Sequence, residues 1–443
     1  MPMHEPTPED AAAAREMLEW ALARLADRRA VLPPATAIRA LPELTAGGIG
    51  TEAALRLLLD VVFPTAIPPD HPRFLAFIPG TPTVAAAIAD MALSAAMIFG
   101  GSRIEAGLAV DAEDTALRWL ADAAGFPASA QGTFVSGGSI ANLSALVAAR
   151  GNRHAAQRRQ VIVAGASAHS SMAAAARIMG CDLCAAPPAD DHGRLTGATL
   201  AVALEGRDPE DVVAVVATAG ATNNGAVDDL AGVAGVCAAR GIWLHVDGAY
   251  GGAALLSPRT RPLFDGIERA DSFIVNPHKW LYAPFDCAAV LYRDGAAARQ
   301  ALAQEADYLD AISDDAVGNP SDLAIHLTRR PRGLPLWASL TAYGTAAYTE
   351  AVDHCLDIAG YAAARILEKP YLELALEPAL TVVLFRRLGW RSEDYDAWCR
   401  DALRSGVAMV MPTKHLGETM LRFCFVNPLT TPEDVDLVLA ELG

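Results

Sequence analysis

From His71 onward, short apolar runs alternate with segments whose apolar positions recur at helical spacing. Gly132 to Val135, Gln160 to Ala164, Val212 to Thr218, Ile242 to Val246, Ser272 to Val275 and Ala288 to Tyr292 are expected strands. Ile140 to Arg150, Ser170 to Met179 and Leu230 to Arg240 are expected helices between them. Such alternation predicts a doubly wound, mostly parallel sheet with helices on both faces. Ahead of it, Thr7-Pro8-Glu9-Asp10 combines a capping residue, proline in the first turn and acids beside the positive end of the helix. A helix is expected to follow to about Arg29, stopped by Pro33-Pro34, with a second over Thr51 to Val62 and a proline-rich connection from Pro64 to Pro72.

Beyond the alternating region the pattern changes. Asp307 to Arg332 is rich in Asp, Pro and Gly and has no clear period, which suits a lid or binding loop. Leu336 to Leu367 reads as helix, and Leu380 to Phe385 and Leu421 to Phe425 as strands of a smaller α+β unit. The expected class is α/β. Its division is a helical segment over 1–70, a large domain over 71–300, a mobile loop or linker over 301–335 and a small C-terminal domain over 336–443.

Composition narrows the function. With 52% hydrophobic and 20% charged residues, 443 residues can build a core that needs neither disulfides nor metals. A formal net charge of −17 argues against nucleic acid or an anionic membrane surface as partner. The seven cysteines are mostly scattered. Cys181-Asp182-Leu183-Cys184 has CxxC spacing, but a zinc ribbon needs a second pair, so no metal site is assigned; a buried strand is the expectation, with a redox pair as the lesser alternative. This usage suits a reduced, cytoplasmic protein. Met1 to Glu5 lacks the basic start and apolar core of a signal peptide. The alanine-rich run from Pro82 to Gly101 carries Asp90 and reads as a buried helix, not a membrane span.

Three places carry candidate chemistry. In Val135-Ser136-Gly137-Gly138-Ser139-Ile140-Ala141-Asn142 a strand ends, two glycines follow and a helix begins. Glycines let backbone approach an anion, and a helix start offers free N–H groups. An ordinary strand-to-helix turn fits that segment equally well. In Ile242 to Tyr250, Asp247 directly follows an apolar strand, where α/β enzymes place ligands. A buried carboxylate there needs a cation or several donors, and a protonated pyridine nitrogen would serve; a helix cap or a metal ligand would look the same. In Asn276-Pro277-His278-Lys279-Trp280, Lys279 follows another apolar strand. Desolvation at such a turn lowers the amine's pKa and makes it a nucleophile; an ordinary surface-loop lysine is the alternative.

A phosphate cradle, a strand-end aspartate and a later lysine are the anchors that pyridoxal 5′-phosphate requires. Their order resembles the fold-type I enzymes that use it, and more closely the group II amino acid decarboxylases, the aromatic L-amino acid decarboxylase family. The likeness also rests on His71-Pro72-Arg73-Phe74, Ala168-His169-Ser170-Ser171 and Ala217-Thr218-Ala219-Gly220. It implies that Gly138, Ser139, Asn276 and His278 hold the phosphate, that Asp247 pairs with the ring nitrogen and that Lys279 binds the aldehyde. Thr218 and Ala249 would pack near the ring, and His169 would stack on it and either act in proton transfer or contact the substrate carboxylate, a lone histidine outside this context being more often structural. Gly80 and Thr81, in Pro79-Gly80-Thr81, and Phe99 and Arg103 would line the substrate pocket. A homodimer with the active site at the interface is implied as well.

Two departures stand out. Family members carry a tyrosine in the loop before an Arg-Arg pair, which returns a proton to the substrate carbon once CO2 has left. Here the pair is Arg329-Arg330; Asp310 to Thr328 holds no tyrosine, Tyr308 lies outside it, and His326 is its one histidine. Gly101 and Arg103 stand where bulky apolar side chains are common in the family. The resemblance implies decarboxylation of an L-amino acid to its amine, with aromatic amino acids among the candidates. The missing tyrosine keeps open an oxidative outcome giving aldehyde, ammonia and peroxide, as in aldehyde synthases. Transamination, β-elimination and a non-catalytic dimeric role are further alternatives.

Overall fold

The computed structural model describes residues 4–29, 32, 41–152, 160–304 and 318–443. Its large sheet contains β1 (Gln131–Val135), β2 (Val161–Gly165), β3 (Asp182–Ala186), β4 (Val212–Thr218), β5 (Leu244–Asp247), β6 (Ser272–Val275) and β7 (Ala288–Tyr292). The spatial order is β1-β7-β6-β5-β4-β2-β3, with β7 antiparallel to both neighbours and the remaining pairs parallel. β4 sits near the centre and is buried at every position, which is why it reads as a continuous valine-rich run without alternation. Helices Gly138–Gly151, Ser171–Met179 and Leu230–Arg240 form the connections, close to expectation.

A second sheet, β8 (Leu372–Leu374), β9 (Val382–Arg387), β10 (Met411–His415) and β11 (Glu418–Cys424), is antiparallel in the order β10-β11-β9-β8. Its core includes Phe385, Phe423, Phe425 and Val438. The backbone of residues 73–75 is tied to it, with Leu75 N donating to Met409 O at 2.8 Å and Cys424 N donating to Leu75 O at 3.0 Å. Helix Leu334–Leu367 packs against β8 and β9 and against helix Leu108–Ala123 beside the large sheet, and breaks at Gly344, whose φ of 76° leaves helical space.

At the other end of the chain, Thr7 and Asp10 form the reciprocal cap expected for helix Pro8–Ala26. That helix ends before Arg29, and Pro33-Pro34 lies outside the described residues. The second helix covers Thr51–Leu57 and continues as a π-helical turn over Leu58–Val62. Residues 305–317, including Tyr308 and most of the acidic stretch expected to be mobile, also lie outside the described residues.

Two expectations need correction. The alanine-rich run forms helix Val84–Ala96, but only Ala86 and Leu93 are buried, while Val84 (42%), Ile88 (46%) and nearby Met97 (84%) are exposed. A one-letter pattern of small apolar residues does not state which surface covers them. The CxxC segment is a strand, yet β3 is a sheet edge, so Cys181 and Cys184 are only half-buried. Among the described residues no helix is long and apolar enough to cross a membrane.

Candidate active site

Strand direction gathers the three candidate segments at one sheet edge. β4, β5 and β6 run parallel, and Thr218 pairs in register with Asp247, which pairs with Ile274. β1 ends at the same edge, because two antiparallel pairings, through β7, restore its direction. The turn after β1 opens helix Gly138–Gly151, and the turn after β6 opens the short helix Pro277–Trp280. Gly138, Ser139, His169, Thr218, Asp247, Ala249, Asn276, His278 and Lys279 all line one cavity of about 390 Å³.

The glycine turn is cut to fit this edge. A Cβ on Gly138 would lie 3.0 Å from Asn276 Nδ2 and 3.4 Å from the Ala249 Cβ, so a side chain there would fill the cavity's end. The helix N-terminus behind it leaves its first N–H groups without intrahelical acceptors and places a partial positive charge on the cavity wall. Opposite, Asp247 ends β5 with both oxygens engaged: Oδ1 accepts from Ala249 N at 3.0 Å and Oδ2 from Asn142 Nδ2 at 2.9 Å. His169 Nδ1 accepts from Ser171 N at 3.1 Å and lies 2.9 Å from Ser171 Oγ.

Burial lowers the pKa of Lys279, and Arg422 pushes in the same direction, while Asp247 and Cys424 partly oppose it. The result favours a neutral, nucleophilic amine. His278 is held down to about 4 by burial and by the neighbouring Lys279. Its Nδ1 accepts from Cys287 N at 3.0 Å, so the ring's single hydrogen sits on Nε2. Asn276 Nδ2 lies 3.3 Å from that Nε2 while Asn276 Oδ1 has no partner. Turning the amide over pairs Oδ1 with the Nε2 hydrogen and aims the NH2 group into the cavity as a donor.

The predicted pocket residues are less united. Gly80 abuts the site, since a Cβ there would lie 2.3 Å from His278 O. Thr81 is buried but borders a separate cavity with Tyr282, Tyr343 and Tyr348. Phe99 and Arg103 do not line the wall around Lys279. Arg103 bonds to Gly318 O at 2.8 Å and Asp114 Oδ2 at 2.7 Å, with Asp111 at 3.4 Å, so its charge is already matched. Gly101 has a local cause: a Cβ would lie 2.6 Å from Leu327 O and 2.7 Å from the Phe99 ring. His326 also lies off the Lys279 wall; burial, with Arg329 and Arg332 nearby, holds it down to about 4.

Other residues come into view only in three dimensions. Asp228 clamps the end of β4 by accepting from Thr218 N at 2.6 Å and Leu195 N at 2.7 Å, and burial raises its pKa to about 7. Arg422, on β11, brings a buried cation toward Lys279 while bonding to Thr222 O at 2.6 Å and Phe77 O at 2.6 Å. Its sequence signal was an arginine inside an otherwise apolar run. Asn142, 1% exposed, was visible only as a polar residue among apolar helix neighbours.

A model of the pyridoxal-dependent decarboxylase conserved domain matches residues 59–388. The chain belongs to the pyridoxal-dependent decarboxylase family. It is 32% identical over 391 residues to the aromatic-L-amino-acid decarboxylase of Bacillus atrophaeus, covering 84% of this chain and 81% of that one. It is 35% identical over 419 residues to the L-2,4-diaminobutyrate decarboxylase of Rhizobium meliloti (strain 1021), covering 91% and 83%. The structure of Oryza sativa TDC with PLP and tryptamine superposes with a TM-score of 0.87 at 25% identity, covering 99% of each chain. The protein is therefore a pyridoxal phosphate-dependent amino acid decarboxylase with the fold-type I architecture. The cavity fits that cofactor. Thr218 Oγ1 is buried without a partner and the turned Asn276 amide leaves its NH2 group unpaired in the cavity, a state that polar atoms in a finished core rarely keep, and the Gly138 cradle leaves room for an anion.

Proposed function

We propose that this decarboxylase converts an L-amino acid to its amine at the cavity around Lys279. In this reading Lys279 binds the cofactor's aldehyde, Asp247 faces the ring nitrogen and His169 covers the ring. Gly138, Ser139, Asn276 and His278 hold the phosphate, with Thr218 and Ala249 against the ring. When bound, the cofactor supplies an electron-accepting ring joined to the substrate's Cα. The protein's part is to hold the scissile carboxylate across that ring, keep the Lys279 amine neutral and exclude water. The observation that carries the reading is that these residues, drawn from separate segments, line one cavity with a desolvated lysine.

Gly80 would border the substrate, while Arg103, paired with Asp114, would anchor the chain at Gly318 instead. Exposed apolar Val84, Ile88, Met97, Ile104 and Leu108 support a homodimer burying that face, with Thr81 and Phe99 near the junction. The division into a helical segment to residue 70, a large domain to 300, a linker to 335 and a small domain beyond is proposed as well, as is a cytoplasmic location. The relatives named above act on aromatic amino acids and on L-2,4-diaminobutyrate, and these set the substrates to try first.

The test is a screen of the common L-amino acids and L-2,4-diaminobutyrate with the cofactor-loaded enzyme. CO2, amine, ammonia and peroxide are measured together, and Lys279→Ala is the control. Amine and CO2 in equal amounts, abolished in Lys279→Ala, are expected. Aldehyde with ammonia and peroxide would establish the oxidative outcome that the loop without tyrosine between residues 310 and 328 keeps in view. No CO2 from any amino acid would overturn the reading.

A further inference from the structure

Asn142 lies where three hydrogen-bond paths meet. Its Nδ2 is 2.9 Å from Asp247 Oδ2 and 3.1 Å from Ser171 Oγ, and its Oδ1 is 2.8 Å from His245 Nε2. His245 Nδ1 is 2.9 Å from Ser272 Oγ, which is 2.9 Å from Trp243 Nε1. Asn142, His245 and Ser272 are 1%, 0% and 0% exposed, so water cannot substitute for any of these bonds.

The direction of every bond follows from residue chemistry. An ionised carboxylate has no hydrogen to give, so the atom of Asn142 facing Asp247 is the NH2 group. Its carbonyl oxygen therefore faces His245, and His245 Nε2 must carry a hydrogen. The opposite end gives the same answer. The Trp243 indole only donates, so Ser272 Oγ accepts from it and turns its own hydrogen toward His245 Nδ1. The bare nitrogen of His245 is then Nδ1, as a neutral Nε2–H ring requires. Burial holds His245 down to about 4, with Asp247 opposing, which keeps the ring neutral. The second hydrogen of the Asn142 NH2 group goes to Ser171 Oγ, leaving the Ser171 hydroxyl and backbone N–H both aimed at His169 Nδ1.

We propose that His245, which does not line the cavity, is a positioning residue that fixes the amide of Asn142. Through it His245 holds the hydrogen bonds of both Asp247 and His169 in place. The relay runs one way, from Trp243 through Ser272, His245 and Asn142, and branches to the two residues that face the cofactor. It places a donor on Asp247 Oδ2 and presents His169 with its hydrogen on Nε2. With no donor at position 245 the Asn142 oxygen is left buried without a partner, and the amide shifts in search of one. That shift loosens its bonds to Asp247 Oδ2 and Ser171 Oγ, and with them the Ser171 hydroxyl on His169.

The inference rests on Asp247 and His169 facing the cofactor, and its test is partly independent of that assignment. In the apoprotein with 15N-labelled histidine, wild-type His169 is expected to show a single Nε2–H tautomer. In His245→Phe the His169 Nδ1 resonance is expected to move and broaden. Pyridoxal phosphate, titrated by absorbance, is expected to bind roughly tenfold more weakly, the loss of about one charge-linked hydrogen bond. In the loaded enzyme kcat should fall more than KM changes, and His245→Gln, whose amide can still donate to Asn142, should recover part of both losses. If His245→Phe does not fold, Ser272→Ala removes one hydroxyl from the same relay and is read in the same way. A folded His245→Phe, or Ser272→Ala in its place, with the His169 resonance and cofactor affinity both unchanged would overturn the relay. Wild-type turnover in Asp247→Ala would instead sink the assignment beneath it.

Discussion

Single side chains matter here through what surrounds them. Asp247 was legible as a strand-end acid, but its geometry depends on Ala249 N and Asn142 Nδ2. Asp247→Ala is expected to retain cofactor, held by the phosphate cradle, and to lose at least a hundredfold in kcat. Cofactor absorbance and steady-state rates on the same sample check both halves. His71 is a residue-scale case away from the chemistry. It is wholly buried, its Nδ1 accepts from Arg73 N at 3.0 Å, and burial with Arg73 beside it holds it down to about 4. Asp434 and Asp70 pull the other way, and Arg29 adds to the depression. In the unfolded chain a histidine takes up a proton below about 6.5, which the fold refuses until about 4. The stability of wild type relative to His71→Gln is therefore expected to rise from pH 4 to 6.5 and then stay level. Denaturant midpoints at several pH values measure it, and a constant difference over that range would contradict the assignment.

At the scale of elements, the segments flanking residues 305–317 are tied to the body at identifiable points. Arg329 NH2 meets both oxygens of Glu113 at 2.6 and 2.7 Å, and Gly333 N donates to the same carboxylate at 2.7 Å. Arg329 NH1 donates to Gly100 O at 2.7 Å while Gly100 N donates back to Arg329 O at 2.7 Å. On the other side, Arg103 N and Nε hold Asn319 Oδ1 and Gly318 O. Burial pushes the Glu113 carboxyl up and Arg329 opposes it, so the pair depends on both partners being present. Glu113→Gln leaves Arg329 buried without its counter-charge and is expected to cost about 3–5 kcal/mol. Chemical denaturation measures the loss; a change below about 1 kcal/mol would show that the pair is not what secures this junction.

For the whole molecule, the exposed apolar residues of the 84–108 stretch set the expectation. Ile104 (68%), Leu108 (82%) and Met97 (84%) are large apolar side chains left open in the single chain, and monomeric proteins rarely expose a contiguous patch of them. Light scattering is expected to give twice the 46.4 kDa chain mass, and Met97→Glu with Leu108→Glu to shift the protein toward monomer. A monomeric wild type at micromolar concentration would rule out the homodimer.

What the sequence alone determined follows from short-range physics. The valine-rich run of β4, the capping pair Thr7 and Asp10, the glycine turn after β1 and the lysine after β6 each state their role within a few residues. So strands, helices and candidate chemistry could be read along the chain. Tertiary structure alone decided which of these met. The antiparallel insertion of β7 is what returns β1 to the edge shared by Asp247 and Lys279. Packing of residues 327–331 against residues 99–101 is what requires glycine at 101, and the matched charge of Arg103 is what removes it from the Lys279 cavity. Asn142 and His245 stand 142 and 245 residues along a chain whose local pattern says nothing of their pairing. Their hydrogen bond exists because helix Gly138–Gly151 crosses the face of β5, a contact between distant segments that burial makes strong and local sequence does not encode.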